Sequence, residues 1–221
     1  MPLRTNRVWP EIADFERELT VQEVKSLVAD PDVRAVQTSS PASEKTWDLL
    51  NNEFAPYRPD VTLRVYGFYR DVCDLSFTRR LGNVRRFTAD RLLDAVNVAD
   101  VTSMQNLESL DIGIYSLQGF DFLRDLNPSL KALGLASTRS RRPRIDLISR
   151  FQNLTDLYLE GQYRGIEVVS DLKSLEKIAL RSISTDGLEY LAPLQRLLSL
   201  ELKLGGIRNL SAITEKKTSD T

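Results

Sequence analysis

Charged and aromatic side chains recur at alternate positions of short apolar segments along this sequence. Arg64-Val-Tyr66 is one such stretch and Asp156-Leu-Tyr158-Leu-Glu160 another, while Arg86, Asp111 and Arg181 each sit in a further segment of the same kind. Side chains at alternate positions of an extended segment share a face, so these eight residues are candidates for one surface. The chemistry open to them is noncovalent: guanidinium–carboxylate pairing, tyrosine hydrogen bonds and aromatic contact. Covalent chemistry has little to work with. Histidine is absent, which removes Ser-His-Asp and Cys-His catalysis, imidazole metal ligands and the usual general base near neutral pH. The single cysteine, Cys73, reads as a small buried hydrophobe. Leu204-Gly205-Gly206 lacks the Lys-Ser/Thr that completes a phosphate loop. No catalytic residue, metal ligand or cofactor is assigned.

A repeated phrase must position these side chains. It is leucine-x-x-leucine-x-leucine, read at Leu107-Leu110-Ile112, Leu130-Leu133-Leu135, Leu154-Leu157-Leu159, Leu175-Ile178-Leu180 and Leu197-Leu200-Leu202. Val84-Phe87-Ala89 is a weaker copy, and Leu63-Val65 keeps its last two positions. The copies begin at 84, 107, 130, 154, 175 and 197, in steps of 23, 23, 24, 21 and 22 residues. A fixed step in that range carrying that phrase is the signature of a leucine-rich repeat solenoid. Counting its first leucine as zero, positions 0, +3 and +5 point inward, and strands of successive repeats stack in parallel about 4.8 Å apart. Positions +2, +4 and +6 then form the concave face. Its middle repeats offer only Gly113, Ala132, Gly134 and Ala136, a shallow trough with Arg64 and Tyr66 on one side and Asp156, Tyr158 and Glu160 on the other. Aromatic and arginine anchors around a low-relief patch are what binding hot spots use. The plainer reading of the small residues is that they let strands curve tightly.

The segments returning from strand to strand carry a second period. Val98, Val101, Met104 and Leu107 are spaced by three, as are Ile145, Ile148, Phe151 and Leu154, then Leu188, Leu191, Leu194 and Leu197, and Leu204, Ile207, Leu210 and Ile213. That period is too short for an α-helical stripe and fits 3₁₀ turns or extended pieces. The fold expected is thus α/β: a solenoid with a parallel sheet on its concave face and short 3₁₀ or extended convex segments.

Residues 1–59 differ and form an N-terminal cap with a first strand–helix unit. Thr20-Val-Gln-Glu23 is a capping box opening a helix to about Val28, placed to cover the open end of the solenoid. Val33 to Thr38 reads as a first strand, and Ser40-Pro41 as the start of a second helix carrying Trp47, Leu50 and Phe54. Repeats fill 60–213, and 214–221 is a polar, disordered tail. No amphipathic cap follows the last repeat, so an uncapped C-terminal edge could join two chains as a homodimer.

Thirty basic and 31 acidic residues leave no global field for nucleic acid or an anionic membrane. No apolar run reaches the roughly 20 residues of a membrane helix. With one cysteine and no signal-like N-terminus, the expected location is the cytoplasm. Arg139-Ser-Arg141-Arg142-Pro-Arg144 is the densest charge run; it reads either as a solvated loop or as a grip on phosphate or an acidic partner.

The repeats resemble those of bacterial leucine-rich repeat proteins with internalin-like units of about 22 residues. The resemblance rests on Leu154-Thr-Asp-Leu157-Tyr-Leu159, on Leu197-Leu-Ser-Leu200-Glu-Leu202 with Ile207-Arg-Asn-Leu210-Ser-Ala-Ile213, and on Asp74-Leu75-Ser-Phe77. It implies a curved solenoid that binds another protein on its concave side. The asparagine such repeats carry three residues after the last strand leucine is replaced here by Leu92, Tyr115, Thr138, Gln162, Ile183 and Gly205. The expected function is noncatalytic binding of a protein partner, with self-association through the C-terminal edge as the alternative.

Overall fold

In a computed structural model of the chain, residues 4–5, 10–68, 71–140 and 143–211 are described. The expected tail at 214–221 lies outside them, as do Ile213 and, in the charge run, Arg141 and Arg142. The chain forms twelve strands and two α-helices: β1 (Arg4–Thr5), β2 (Ile12–Asp14), α1 (Val21–Ala29), β3 (Ala35–Thr38), α2 (Glu44–Leu49), β4 (Thr62–Tyr66), β5 (Cys73–Asp74), β6 (Arg86–Leu92), β7 (Ala95–Val96), β8 (Ser109–Ile114), β9 (Ala132–Leu135), β10 (Asp156–Glu160), β11 (Lys177–Arg181) and β12 (Ser199–Lys203). Ten strands make one sheet in the order β1-β2-β3-β4-β6-β8-β9-β10-β11-β12, and β5 and β7 pair beside it. Every pairing from β2 to β12 is parallel; only β1 runs antiparallel, against β2.

One hydrogen-bond device sets the register. At the start of each strand from β8 to β12 two consecutive N–H groups share a single carbonyl of the repeat before: Glu108 and Ser109 on Arg85, Lys131 and Ala132 on Glu108, Thr155 and Asp156 on Lys131, Glu176 and Lys177 on Thr155, Leu198 and Ser199 on Glu176. A side-chain ladder runs alongside, with Asn83 Nδ2 donating to Asn51 O (3.2 Å), Asn106 Nδ2 to Gly82 O (2.9 Å) and Asn127 Nδ2 to Gln105 O (3.1 Å). Asparagines thus link the repeats, but before the strands rather than after them. In the position after the strand, Leu92 and Ile183 are buried apolar side chains, and only Gln162 offers an amide, to Ala136 O (3.0 Å) and Thr138 Oγ1 (3.2 Å). Five strands turn through a left-handed residue at or beside their ends: Gly67 after β4, Arg91 near the end of β6, Gly161 after β10, Ser182 after β11 and Leu204 after β12, with φ of 80°, 55°, 68°, 53° and 53°.

Three of the four period-three runs fold with 3₁₀ turns, at Val98–Ser103, Asp146–Arg150 and Glu189–Leu191, whereas residues 204–210 form none; further 3₁₀ turns lie at Leu75–Arg80, Asp121–Arg124 and Ile166–Asp171. Residues three apart eclipse in such a turn, and each run stacks on the next beneath the sheet. Ile145, Ile148 and Phe151 are fully buried, as are Val169 and Leu172, and Leu188 and Leu194.

The N-terminal part departs from expectation in three ways. The parallel ladder begins at β2, two strands before residue 60, because Ala13 and Val36 supply the inward positions that Leu63 and Phe87 fill later. The α1 helix has the expected capping box, with Thr20 Oγ1 accepting from Glu23 N–H (3.3 Å) and Glu23 Oε2 from Thr20 N–H (2.9 Å). It does not lie over the end of the sheet. It is the return between β2 and β3, burying Val24 and Leu27 and leaving Val21 48% exposed, while β1 occupies the end. The α2 helix is capped by Ser43, not Ser40, and runs into a π turn at Leu50–Phe54. Trp47 stacks on Phe77 at 4.1 Å and meets Phe15 edge-on at 6.1 Å, tying this region to the later repeats.

Burial fades at the other end. Leu175, Ile178 and Leu180 are 0%, 2% and 3% exposed, whereas the equivalent Leu202 is 38% exposed and the neighbouring Leu204 77%. Phe151→Ala is expected to cost about 3–5 kcal/mol in urea unfolding, because it empties the middle of the stack. Leu204→Ala is expected to change stability by less than about 0.5 kcal/mol. Similar losses from both would show that the last repeat is as tightly packed as the middle.

Candidate functional site

The shared register brings the outward positions into three rows across the concave face. The middle row reads Asp14, Gln37, Arg64, Thr88, Asp111, Gly134, Tyr158, Ala179 and Glu201. All eight expected residues lie on strands of this face. Arg86, exposed at the start of β6, shares a row with Ser109, Ala132 and Asp156; the other seven lie on β4, β8, β10 and β11.

Those seven are unequally available. Arg64 is committed: Nε and Nη2 donate to Asp90 Oδ1 (2.6 Å) and Oδ2 (2.8 Å), and Nη1 to Gln37 Oε1 (2.8 Å). Burial works against its charge, but the bidentate Asp90 carboxylate outweighs that and holds its pKa above the ordinary arginine value. Tyr66 lies under the guanidinium at 4.8 Å and donates from its hydroxyl to Asp14 Oδ1 (3.2 Å), which also accepts from Gln37 Nε2 (2.6 Å). These two anchors therefore close a polar network at the N-terminal half. On the other side, Tyr158 donates to Glu160 Oε2 (3.1 Å), Arg181 Nε lies 3.4 Å from Glu160 Oε1, and Lys177 Nζ lies 3.4 Å from Asp156 Oδ1. Burial, with Glu160 beside it, raises the Tyr158 pKa to about 12, so the phenol stays a donor at neutral pH.

Asp111 lies between the two networks and belongs to neither. Among the described residues no hydrogen bond or ion pair reaches its carboxylate. The trough of small residues is where it rests. A Cβ built on Gly134 would meet Asp111 Oδ1 at 2.5 Å and Cγ at 2.7 Å, so the glycine's missing side chain is the space the carboxylate uses. Small residues here thus make room for an acid rather than an empty trough. Burial pushes the Asp111 pKa up to about 6; Asp90 and Glu160 add to the rise, and Arg64 opposes it.

Asp14 and Gln37 were not legible as site residues, although the 23-residue step between them equals that of later repeats. Leu93 and Tyr115 were missed as well. They are 50% and 49% exposed on the rim beside Gly113 and Ala136, and their depression adjoins the one floored by Asp111, Tyr158 and Glu160. Tyr115 occupies the place of a repeat asparagine, which was the available signal. In the charge run, Arg144 is held locally by Asp146 at 2.6 and 2.7 Å. Cys73 is buried and its thiol pushed up to about 12 by burial, as expected of a hydrophobe.

The Asp111 environment has a signature in stability. Its folded pKa of about 6 exceeds the unfolded value of about 4. Between those values the folded chain binds more protons than the unfolded one, so stability falls as pH rises through the window and levels off above it. Asp111→Asn is expected to stabilise the fold by about 1–2 kcal/mol at pH 7 and by almost nothing at pH 4, read by urea unfolding at both. An equal effect at the two pH values would place the carboxylate in ordinary solvent.

Neither a family model nor a curated protein matches the chain by sequence. Solved structures do match in fold. Internalin C2 from Listeria monocytogenes superposes with a TM-score of 0.54 at 17% identity, over 89% of this chain and 88% of that one. The internalin InlF from the same organism gives 0.57 at 16% identity, over 93% of this chain, which spans 63% of the InlF chain. Strand phrase, parallel register, 3₁₀ returns and these two superpositions agree: the chain has the internalin-like leucine-rich repeat fold.

Proposed function

We propose that this chain is a noncatalytic protein-binding module whose concave face receives a basic side chain of its partner at Asp111. The observation that carries the reading is the charge balance of that face. Asp90 pairs with Arg64, Glu160 with Arg181, Asp156 with Lys177 and Glu201 with Lys203. Asp111, half-buried among them, has no such cation among the described residues. Half-burial takes away part of its hydration without supplying a counter-ion, and a lysine or arginine from outside would relieve that. The long apolar stem of such a residue fits the adjoining wall of Leu93 and Tyr115. Tyr158 supplies an aromatic flank and Glu160 a second carboxylate. The strands hold these groups before the partner arrives, which lowers the ordering cost of association.

A protein partner is favoured over nucleic acid, since the centre of this face is acidic and the chain carries 30 basic against 31 acidic residues. Catalysis is disfavoured by an open surface that does not exclude water and by a sequence without histidine.

The test is affinity capture from native extract with four baits: wild type, Asp111→Lys, Tyr158→Ala, and the convex-side control Lys173→Glu. The expected result is a protein retained by wild type and Lys173→Glu, lost from Asp111→Lys and weakened at least about tenfold by Tyr158→Ala. Its retention is also expected to weaken as pH falls below about 6, where Asp111 takes up a proton. A partner lost only from the convex variant would move the binding face to the other side of the solenoid.

A further inference from the structure

β12 is the last strand of the sheet among the described residues. Among the described residues nothing pairs with the outer edge of β12, and Leu198, Leu202 and Leu204 along it are 83%, 38% and 77% exposed. Ser199 N–H donates to Glu176 O, and Lys203 O accepts from Ser182 N–H, so the odd-numbered residues of β12 turn their backbone groups toward β11. These groups alternate sides along a strand. Leu200 and Leu202 therefore direct theirs outward, onto an open edge, and such an edge is a template for another strand.

We infer that β12 pairs antiparallel with β12 of a second copy of this chain, closing a two-fold dimer. An axis perpendicular to the sheet makes the contact self-complementary and ends assembly at two. Both concave faces stay on one side only if odd residues meet odd and even meet even, which leaves three registers centred on the strand. With Leu200 opposite its own copy, Ser199 meets Glu201 and Lys203 has no acidic partner across the interface. With Glu201 opposite its own copy, like charges face each other, which is destabilising. With Leu202 opposite its own copy, Glu201 and Lys203, which already pair within the chain, also meet the second copy's Lys203 and Glu201, making a four-charge network. Both ion pairs then fall at non-hydrogen-bonded positions, where the strands' Cα atoms lie about 4.5 Å apart and side chains are nearest. On the inward side Leu202 meets Leu202, covering the side chain that the last repeat leaves 38% exposed. Charge and apolar cover select the same register.

The experiment is sedimentation velocity on the full chain across about a hundredfold range of concentration, enough to cross a monomer–dimer transition. The wild type is expected to shift from monomer to dimer. Glu201→Lys should weaken association at least about tenfold, and the exchange Glu201→Lys with Lys203→Glu should restore it. Both residues are exposed on the concave face, so the fold survives the substitutions, and circular dichroism checks this. Register is read by oxidative crosslinking. Leu202→Cys is expected to form a disulfide between copies, whereas Leu200→Cys is not, since its two copies stand about 13 Å apart along the strands. Cys73, buried with its thiol near 12, does not compete. A wild type that stays monomeric throughout, because its own chain or another protein covers the edge, would overturn the inference. So would a dimer indifferent to Glu201→Lys, or one that crosslinks through Leu200→Cys.

Discussion

Everything in this molecule depends on one constraint: a repeat of about 22 residues cannot bury its own apolar edge and must bury it against a neighbour. The shared carbonyl at the start of each strand from β8 to β12 enforces that dependence. Two N–H groups of one repeat close on a single acceptor of the repeat before, from Arg85 through Glu176, so each strand inherits its register from its predecessor. The inward leucines then stack, the 3₁₀ returns fall beneath them, and the outward rows come into line. A one-residue slip would send every leucine to the solvent side.

The same constraint explains the electrostatics of the concave face. Rows of side chains on neighbouring parallel strands lie within reach of one another, so opposite charges in adjacent repeats pair readily, as Lys177 does with Asp156 and Arg181 with Glu160. Where a neighbour has no side chain the pattern breaks. Gly134 gives Asp111 space but no partner, and the break falls between two networks that have used their own cations. The last repeat lacks a following neighbour among the described residues, and its leucines show it.

The repeats were readable because their signal is periodic and many times repeated. The spacing of Ile145, Ile148 and Phe151 predicted 3₁₀ turns, and these form at Asp146–Arg150. The first two strands were not readable, since Arg4–Thr5 and Ile12–Asp14 are too short to show alternation and lack leucines. The amphipathic face of α1 suits a return segment as well as an end cap, so sequence alone does not distinguish the two. At the site, sequence could place Arg64, Tyr66, Asp111 and Tyr158 on one surface, since that follows from alternation alone. It could not tell which were already paired. That depends on contacts such as Tyr66 to Asp14 and Arg64 to Asp90, which join residues 52 and 26 positions apart. The asparagine ladder stands before the strands rather than after them, where Asn83, Asn106 and Asn127 reach carbonyls of the preceding repeat.

On the function proposed, Asp111 is a partly desolvated carboxylate held open for a counter-ion that none of the described residues supplies. The most direct test is a carbon-detected NMR titration of the Asp111 side chain in the folded protein. The account predicts a midpoint near 6. A midpoint near 4, the value of an aspartate in water, would mean that the carboxylate is hydrated or paired, and the concave face would lose its centre.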